Sequence, residues 1–179
     1  LLATAGCSRD MADQPRYEPL EASRFFDDGS SARPRVEGTV ARGHLEVDEH
    51  FFEGKVDGEL ARRLPIEVDS ALLERGQARY NIFCANCHDR VGTGRGMVVQ
   101  RGFPQPPSYH DQRLRAVPDG HIYDVITNGL GRMAPYGPYI PPADRWAIVA
   151  YVRALQLSQH AKAALLNEQD LAEIEKRAP

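Results

Sequence analysis

Cysteine is scarce in this chain: 179 residues contain only Cys7, Cys84 and Cys87. A tetrahedral zinc site needs four Cys or His donors in paired groups, and no second C-x-x-C and no H-x-x-x-H is present to complete one. Long apolar runs are also missing, since none approaches the ~18 residues a membrane-spanning helix requires. Lysine is absent from residues 69–160, where all ten basic groups are arginines, so electrostatic contacts there use planar guanidinium forks. The net charge of −3 divides into −5 over residues 1–68, +3 over 69–160 and −1 over 161–179. A basic middle and an acidic leading segment favour protein partners over nucleic acid.

What the chain does have is Cys84-Ala85-Asn86-Cys87-His88. A thioredoxin-like dithiol would follow a strand, but Leu72, Leu73, Gly76, Tyr80 and Phe83 recur at three- to four-residue intervals and predict a helix leading into Cys84. C-x-x-C-H is the attachment signature of c-type haem: two thiols one helical turn apart add to the vinyl groups, and the next residue offers its imidazole to iron. One covalently bound haem c is therefore expected, held by Cys84 and Cys87 with His88 as axial ligand.

A second axial ligand must come from three methionines or five other histidines. Met133 lies in "TNGLGRMAPYG", where Gly129, Gly131, Gly137, Pro135 and Pro138 describe a shaped loop and not a regular element. A methionine presented by such a loop is poorly explained as core filling. Met97 follows His88 by nine positions, too soon to reach the opposite haem face. His110 and His121 sit in turn-like sequence and read as solvated or helix-starting. Met133 is therefore the expected sixth ligand, and a six-coordinate iron points to electron transfer without catalysis at the metal.

Beyond the motif, Pro141 and Pro142 precede "DRWAIVAYVRALQLS", whose Ile148, Tyr151, Val152 and Leu155 form the stripe of an amphipathic helix, with Asp144 near its start. "DGHIYDVITNGLG" predicts a short helix stopping at Asn128-Gly129. The expected organisation is a signal remnant over 1–6, an extended arm over 7–68, a haem domain over 69–160 and a C-terminal tail over 161–179, helical after a break near Asn167. The arm lacks any sustained period and should be irregular alone, with Tyr17, Phe25-Phe26 and Phe51-Phe52 spaced as anchors for a partner. "LLATAGC" ends as a bacterial lipoprotein signal does, which makes Cys7 the expected lipidation site. Lipid anchoring and exported haem attachment agree on the outer, periplasmic face of a bacterial cytoplasmic membrane.

Residues 69–160 resemble class I cytochrome c: Gly76 and Tyr80 have the G-x-x-x-aromatic spacing of the first helix, and the glycine would meet Tyr151 on the last. The fold class expected is mainly α, a class I cytochrome c-like domain preceded by a long, mostly irregular arm. The same resemblance implies that a carbonyl of Pro106 or Pro107, in "RGFPQPPSYHD", accepts the Nδ1 proton of His88. Tyr109, Tyr123 and Arg132 are expected partners of the haem propionates.

Over residues 14–158 the chain resembles the mono-haem cytochrome c lipoprotein subunit of alternative complex III. The resemblance is carried by "QPRYEPLEASRFFDDGSSARPRVEGTVARG", "VITNGLGRMAPYG" and "PPADRWAIVAYVRALQ". It implies a subunit of a quinol-oxidising assembly containing a multihaem cytochrome, iron–sulfur clusters and membrane subunits. Electrons would pass to a downstream cytochrome, copper protein or oxidase. By itself the subunit would be an electron carrier and not an enzyme. The competing reading is a membrane-tethered cytochrome donating directly to a terminal oxidase.

Overall fold

A computed structural model of the chain describes residues 12, 14–42, 45–160 and 166–177. The expectations for Cys7 and the signal remnant lie outside the described residues. Two compact units are present, Leu1–Leu45 and Glu46–Pro179.

The first unit has a turn-rich fold built from contacts close in sequence. Ala22 bridges Ser30 in antiparallel fashion around "FFDDG". Arg33 pairs with Asp28 at 2.8 Å and lays its guanidinium over the Phe26 ring at 4.0 Å. Phe25 and Phe26 meet edge to face, and Phe25 remains 83% exposed.

The second unit is mainly α. Its elements are α1 (Glu49–Glu53), the antiparallel pair β1 (Lys55–Val56) and β2 (Glu59–Leu60), α2 (Ser70–Phe83), α3 (Ala85–His88), α4 (Gln112–Ala116), α5 (Asp119–Asn128), α6 (Pro142–Ser158) and α7 (Glu168–Arg177). A single 3-10 turn at Val99–Arg101 follows α3. No helix among the described residues is long and apolar enough to cross a membrane.

Local chemistry explains the helix ends. Asp69 caps α2 by accepting from Leu72 N at 2.7 Å, and proline occupies the first turn of α6, where no backbone donor is required. α5 stops at Asn128, with Gly129 N–H returning to Val125 O.

α2 packs on α6 as the two halves of the core, and Gly76 makes the approach possible. A Cβ there would overlap the Ala147 carbonyl oxygen and stand 2.9 Å from Tyr151 Cβ. The expected Gly76–Tyr151 contact is therefore present. Asp144 does not cap its helix; it receives Arg75 at 2.7 Å and Arg79 at 3.1 Å, tying α6 back to α2. Tyr80, Tyr123, Ile126, Ile140, Trp146, Ile148, Val149 and Val152 form the buried cluster.

The arm boundary expected at residue 68 moves to 45. Residues 46–66 fold onto α5 and α6, and Phe51, Leu64 and Ile66 pack against the core cluster. Phe51 and Phe52 are therefore internal anchors, because the buried donors of Trp146 and Tyr123 need the backbone oxygens beside them.

Candidate functional site

Cys84 closes α2 and opens α3, so one turn of helix separates it from Cys87 and presents His88 at the end of the same turn. Neither cysteine is in a disulfide. Burial pushes the Cys84 thiol up to about 12, with the neighbouring Cys87 adding to the rise. Burial also lowers His88 to about 4, against the opposing pull of Asp89, so its imidazole is neutral and carries a lone pair for a metal.

The loop after His88 is held by its own first residue. Asp89 adopts φ 57° and its carboxylate accepts from Val91 N at 2.8 Å, Arg95 N at 2.9 Å, Thr93 N and the Thr93 hydroxyl. Tyr80 OH donates to Asp89 O at 2.7 Å, which fixes the tether against α2. Gly96 lies so close to Asn86 O that no side chain would fit.

Facing the tether is a cavity of about 410 Å³. Phe83, Cys84, Cys87 and His88 line it together with Ile122, Val125, Ile126, Leu130 and Met133, and with Ile148 and Val152 of α6. Met133 sits at the end of a tight turn in which Leu130 and Met133 exchange backbone hydrogen bonds at 3.0 and 3.1 Å. Gly131 takes φ 60° to make the turn, and a Cβ at Gly129 would run into Met133 O. The loop then returns to α5, where Ile126 O and Thr127 O accept from Tyr136 N and Gly137 N.

Among the expected site residues, Cys84, Cys87, His88, Met133, Pro106, Pro107, Tyr109 and Arg132 share this cavity. Tyr123 does not. It is fully buried, stacks on Trp146 at 4.3 Å and donates its hydroxyl to Phe52 O at 3.0 Å, so it is a core residue. Neither proline accepts from His88, whose Nδ1 is buried without a hydrogen-bond partner. The His88 ring lies flat on Tyr109 at 4.6 Å, and the Pro106 carbonyl instead packs against Gly94.

Met97 is 55% exposed. His110 makes a 2.7 Å contact with Val91 O through Nε2, whereas His121 lines the cavity with Met133. Sequence reading passed over Arg113, Leu114 and Gln156, which also line it. Gln156 is buried and donates to Tyr109 O at 2.9 Å, while Arg153 donates to its side-chain oxygen at 2.8 Å.

These residues fit a haem. A largely apolar slot would take the macrocycle, the two cysteines one turn apart would take the vinyl groups, and an imidazole and a thioether in the same lining would provide a borderline and a soft donor. Among the described residues no three His, Cys, Asp or Glu side chains gather as a separate metal site.

Comparison with known proteins agrees with the motif. Residues 71–152 match the family described as cytochrome C oxidase, cbb3-type, subunit III. No curated protein shows significant similarity to the chain. Among solved structures, the KustC0563 c-type cytochrome is 24% identical with a TM-score of 0.40, covering 45% of this chain and 96% of its own. A chain of the Kuenenia stuttgartiensis reducing HAO-like protein complex Kustc0457/Kustc0458 is 22% identical with a TM-score of 0.46, covering 60% of this chain and 54% of its own. The stretch from α2 to α6 is a class I cytochrome c domain like that of the cbb3-type subunit III family, and its cofactor is covalently bound haem c.

Proposed function

We propose that this chain is the mono-haem electron-transfer subunit of a membrane-bound quinol-oxidising complex, working at the periplasmic face and anchored through lipidated Cys7. The observation that carries the electron-transfer role is that the Cys84–Cys87–His88 tether and Met133 line one largely apolar cavity. Cys84, Cys87 and His88 would hold haem c, with Met133 as the second iron ligand, and the group would supply a one-electron couple of raised potential. His88 contributes a neutral ring, Tyr109 stacks on that ring and restrains it, and the apolar lining would limit water around a bound haem.

Exposed Phe103 and Leu130, with Arg113 and Arg132 beside them, border the same cavity. An apolar patch set among guanidinium groups suits transient contact with an acidic redox partner, since the charges steer encounter and the apolar surface forms the contact. The arm supports membership of an assembly: Tyr17, Leu20, Phe25, Val36 and Val40 are all exposed along residues 17–40. On the resemblance to alternative complex III, the partners are a multihaem cytochrome with iron–sulfur and membrane subunits on one side and a downstream cytochrome, copper protein or oxidase on the other.

The family match of residues 71–152 favours a second reading, in which the chain donates directly to a terminal oxidase. Purification from native membranes with a tag on this chain separates them. Recovery with a multihaem cytochrome and quinol-oxidising activity supports the first reading. Recovery with oxidase subunits alone supports the second.

A further inference from the structure

Residues 46–66 contribute nothing to the cavity lining, yet their backbone satisfies buried side chains of the haem domain. Trp146 Nε1 donates to Phe51 O at 2.7 Å and Tyr123 OH to Phe52 O at 3.0 Å. Gly120 N donates to Ala61 O at 2.8 Å, and Ala61 N to Gly54 O at 2.9 Å, which stitches the start of α5 to the β1–β2 hairpin. The fit leaves no room. A Cβ on Gly120 would stand 2.6 Å from Ala61 N and overlap Gly54 O, and one on Gly54 would stand 2.8 Å from the Tyr123 ring.

α5 carries this restraint to its other end. There the carbonyls of Ile126 and Thr127 hold the loop of Met133 through Tyr136 N at 2.9 Å and Gly137 N at 3.0 Å. Arg145 braces the same helix, donating to Thr127 Oγ1 and lying over the Tyr123 ring at 4.8 Å. The His88 wall has a separate support in the Asp89 loop and Tyr80.

We propose that residues 46–66 form a positioning strap for Met133: by fixing α5 from its N-terminal end they set how long the thioether stays on the iron. The proposal rests on Met133 as the second axial ligand. A looser strap gives α5 a second position, in which the Met133 loop swings away while the Cys84–His88 tether is undisturbed.

The test uses the full-length, haem-loaded protein. Tyr123→Phe removes only the hydroxyl that reaches Phe52, and Gly120→Ala forces the strap off α5. Two signals are read at a temperature where helical content is intact: the thioether-to-iron absorption band of the ferric form, and the rate of carbon monoxide binding to the ferrous form. Tyr123→Phe is expected to raise that rate about fivefold, the factor matching one net hydrogen bond, with Gly120→Ala above it and the band weakened in both. Covalent haem content stays at the unmodified level.

Asp144→Asn, which releases Arg75 and Arg79 at the α2–α6 seam, serves as the control, lowering Tm without changing either signal. Strap variants that lower Tm as the control does but leave band and rate unchanged overturn the proposal. If Gly120→Ala does not fold, Tyr123→Phe decides alone. Absence of the band from the unmodified protein refutes the Met133 assignment itself; a normal band with unresponsive variants refutes only the strap.

Discussion

In the unit Leu1–Leu45, Arg33 reaches back five positions to Asp28 and Ser31 thirteen to Glu18; in Glu46–Pro179, Arg75 reaches Asp144 across 69 positions and Trp146 reaches Phe51 across 95. The first kind of contact shapes a short peptide, and among its described residues no hydrophobic side chain is buried. The second kind closes long loops around a common apolar cluster, so its members form and fail together. The cofactor sits in the unit that can hold two walls at fixed separation. The exposed apolar side chains of residues 17–40 sit in the unit held by short-range contacts.

This comparison can be broken from either side. The larger effect belongs to Gly76→Ala, because the added methyl meets the Ala147 carbonyl and cannot be relieved by a side-chain rotation. A loss of about 1–3 kcal/mol is expected for such overpacking, read as a lower Tm of the haem domain. The 14–42 turns keep their amide exchange pattern. A Tm equal to the unmodified protein's shows that α2 and α6 are not held by this approach.

The smaller effect is in the arm and depends on pH. The Arg33 guanidinium hydrogen-bonded to Asp28 holds that carboxyl below its ordinary value of 3.8, with Ser30 N helping. A depressed folded pKa contributes stability that is present above the unfolded value and lost as pH falls through the folded one. Amide shifts of residues 22–33 should therefore move toward random-coil values below about pH 4, the ordinary carboxylate range, while the signals of Tyr80 and Trp146 stay in place. Loss of both sets together contradicts the independence of the units.

The same division explains what could be read from sequence. α2, the C-x-x-C-H turn and α6 are legible because their evidence is local: repeats every three to four residues ahead of Cys84, and two prolines ahead of a stripe. Phe51 and Phe52 were legible only as apolar residues in polar surroundings. What ties them in is Trp146, 95 positions from Phe51, and Tyr123, 71 positions from Phe52, both beyond any sequence window. One local signal was present in the sequence: Asp57-Gly58, with φ of 53° and 78°, makes the tight turn between β1 and β2, and Asp-Gly is a two-residue hairpin turn. Tyr123 looked like a propionate partner because it is a tyrosine near the Met133 loop, but α5 turns it toward Trp146 and away from the cavity. Gln156 left no trace in the stripe of α6, since a buried glutamine announces itself only through the carbonyls it reaches.

The central claim is an electron carrier with His88 and Met133 on a single haem c. Its most direct test is the reduction potential of the haem-loaded protein measured beside Met133→His and His121→Ala. The account predicts that Met133→His abolishes the thioether-to-iron band and lowers the potential by a large share of the ~0.8 V span that axial ligation controls, with His121→Ala leaving both intact. An unchanged potential and band in Met133→His, or their loss in His121→Ala, would contradict it.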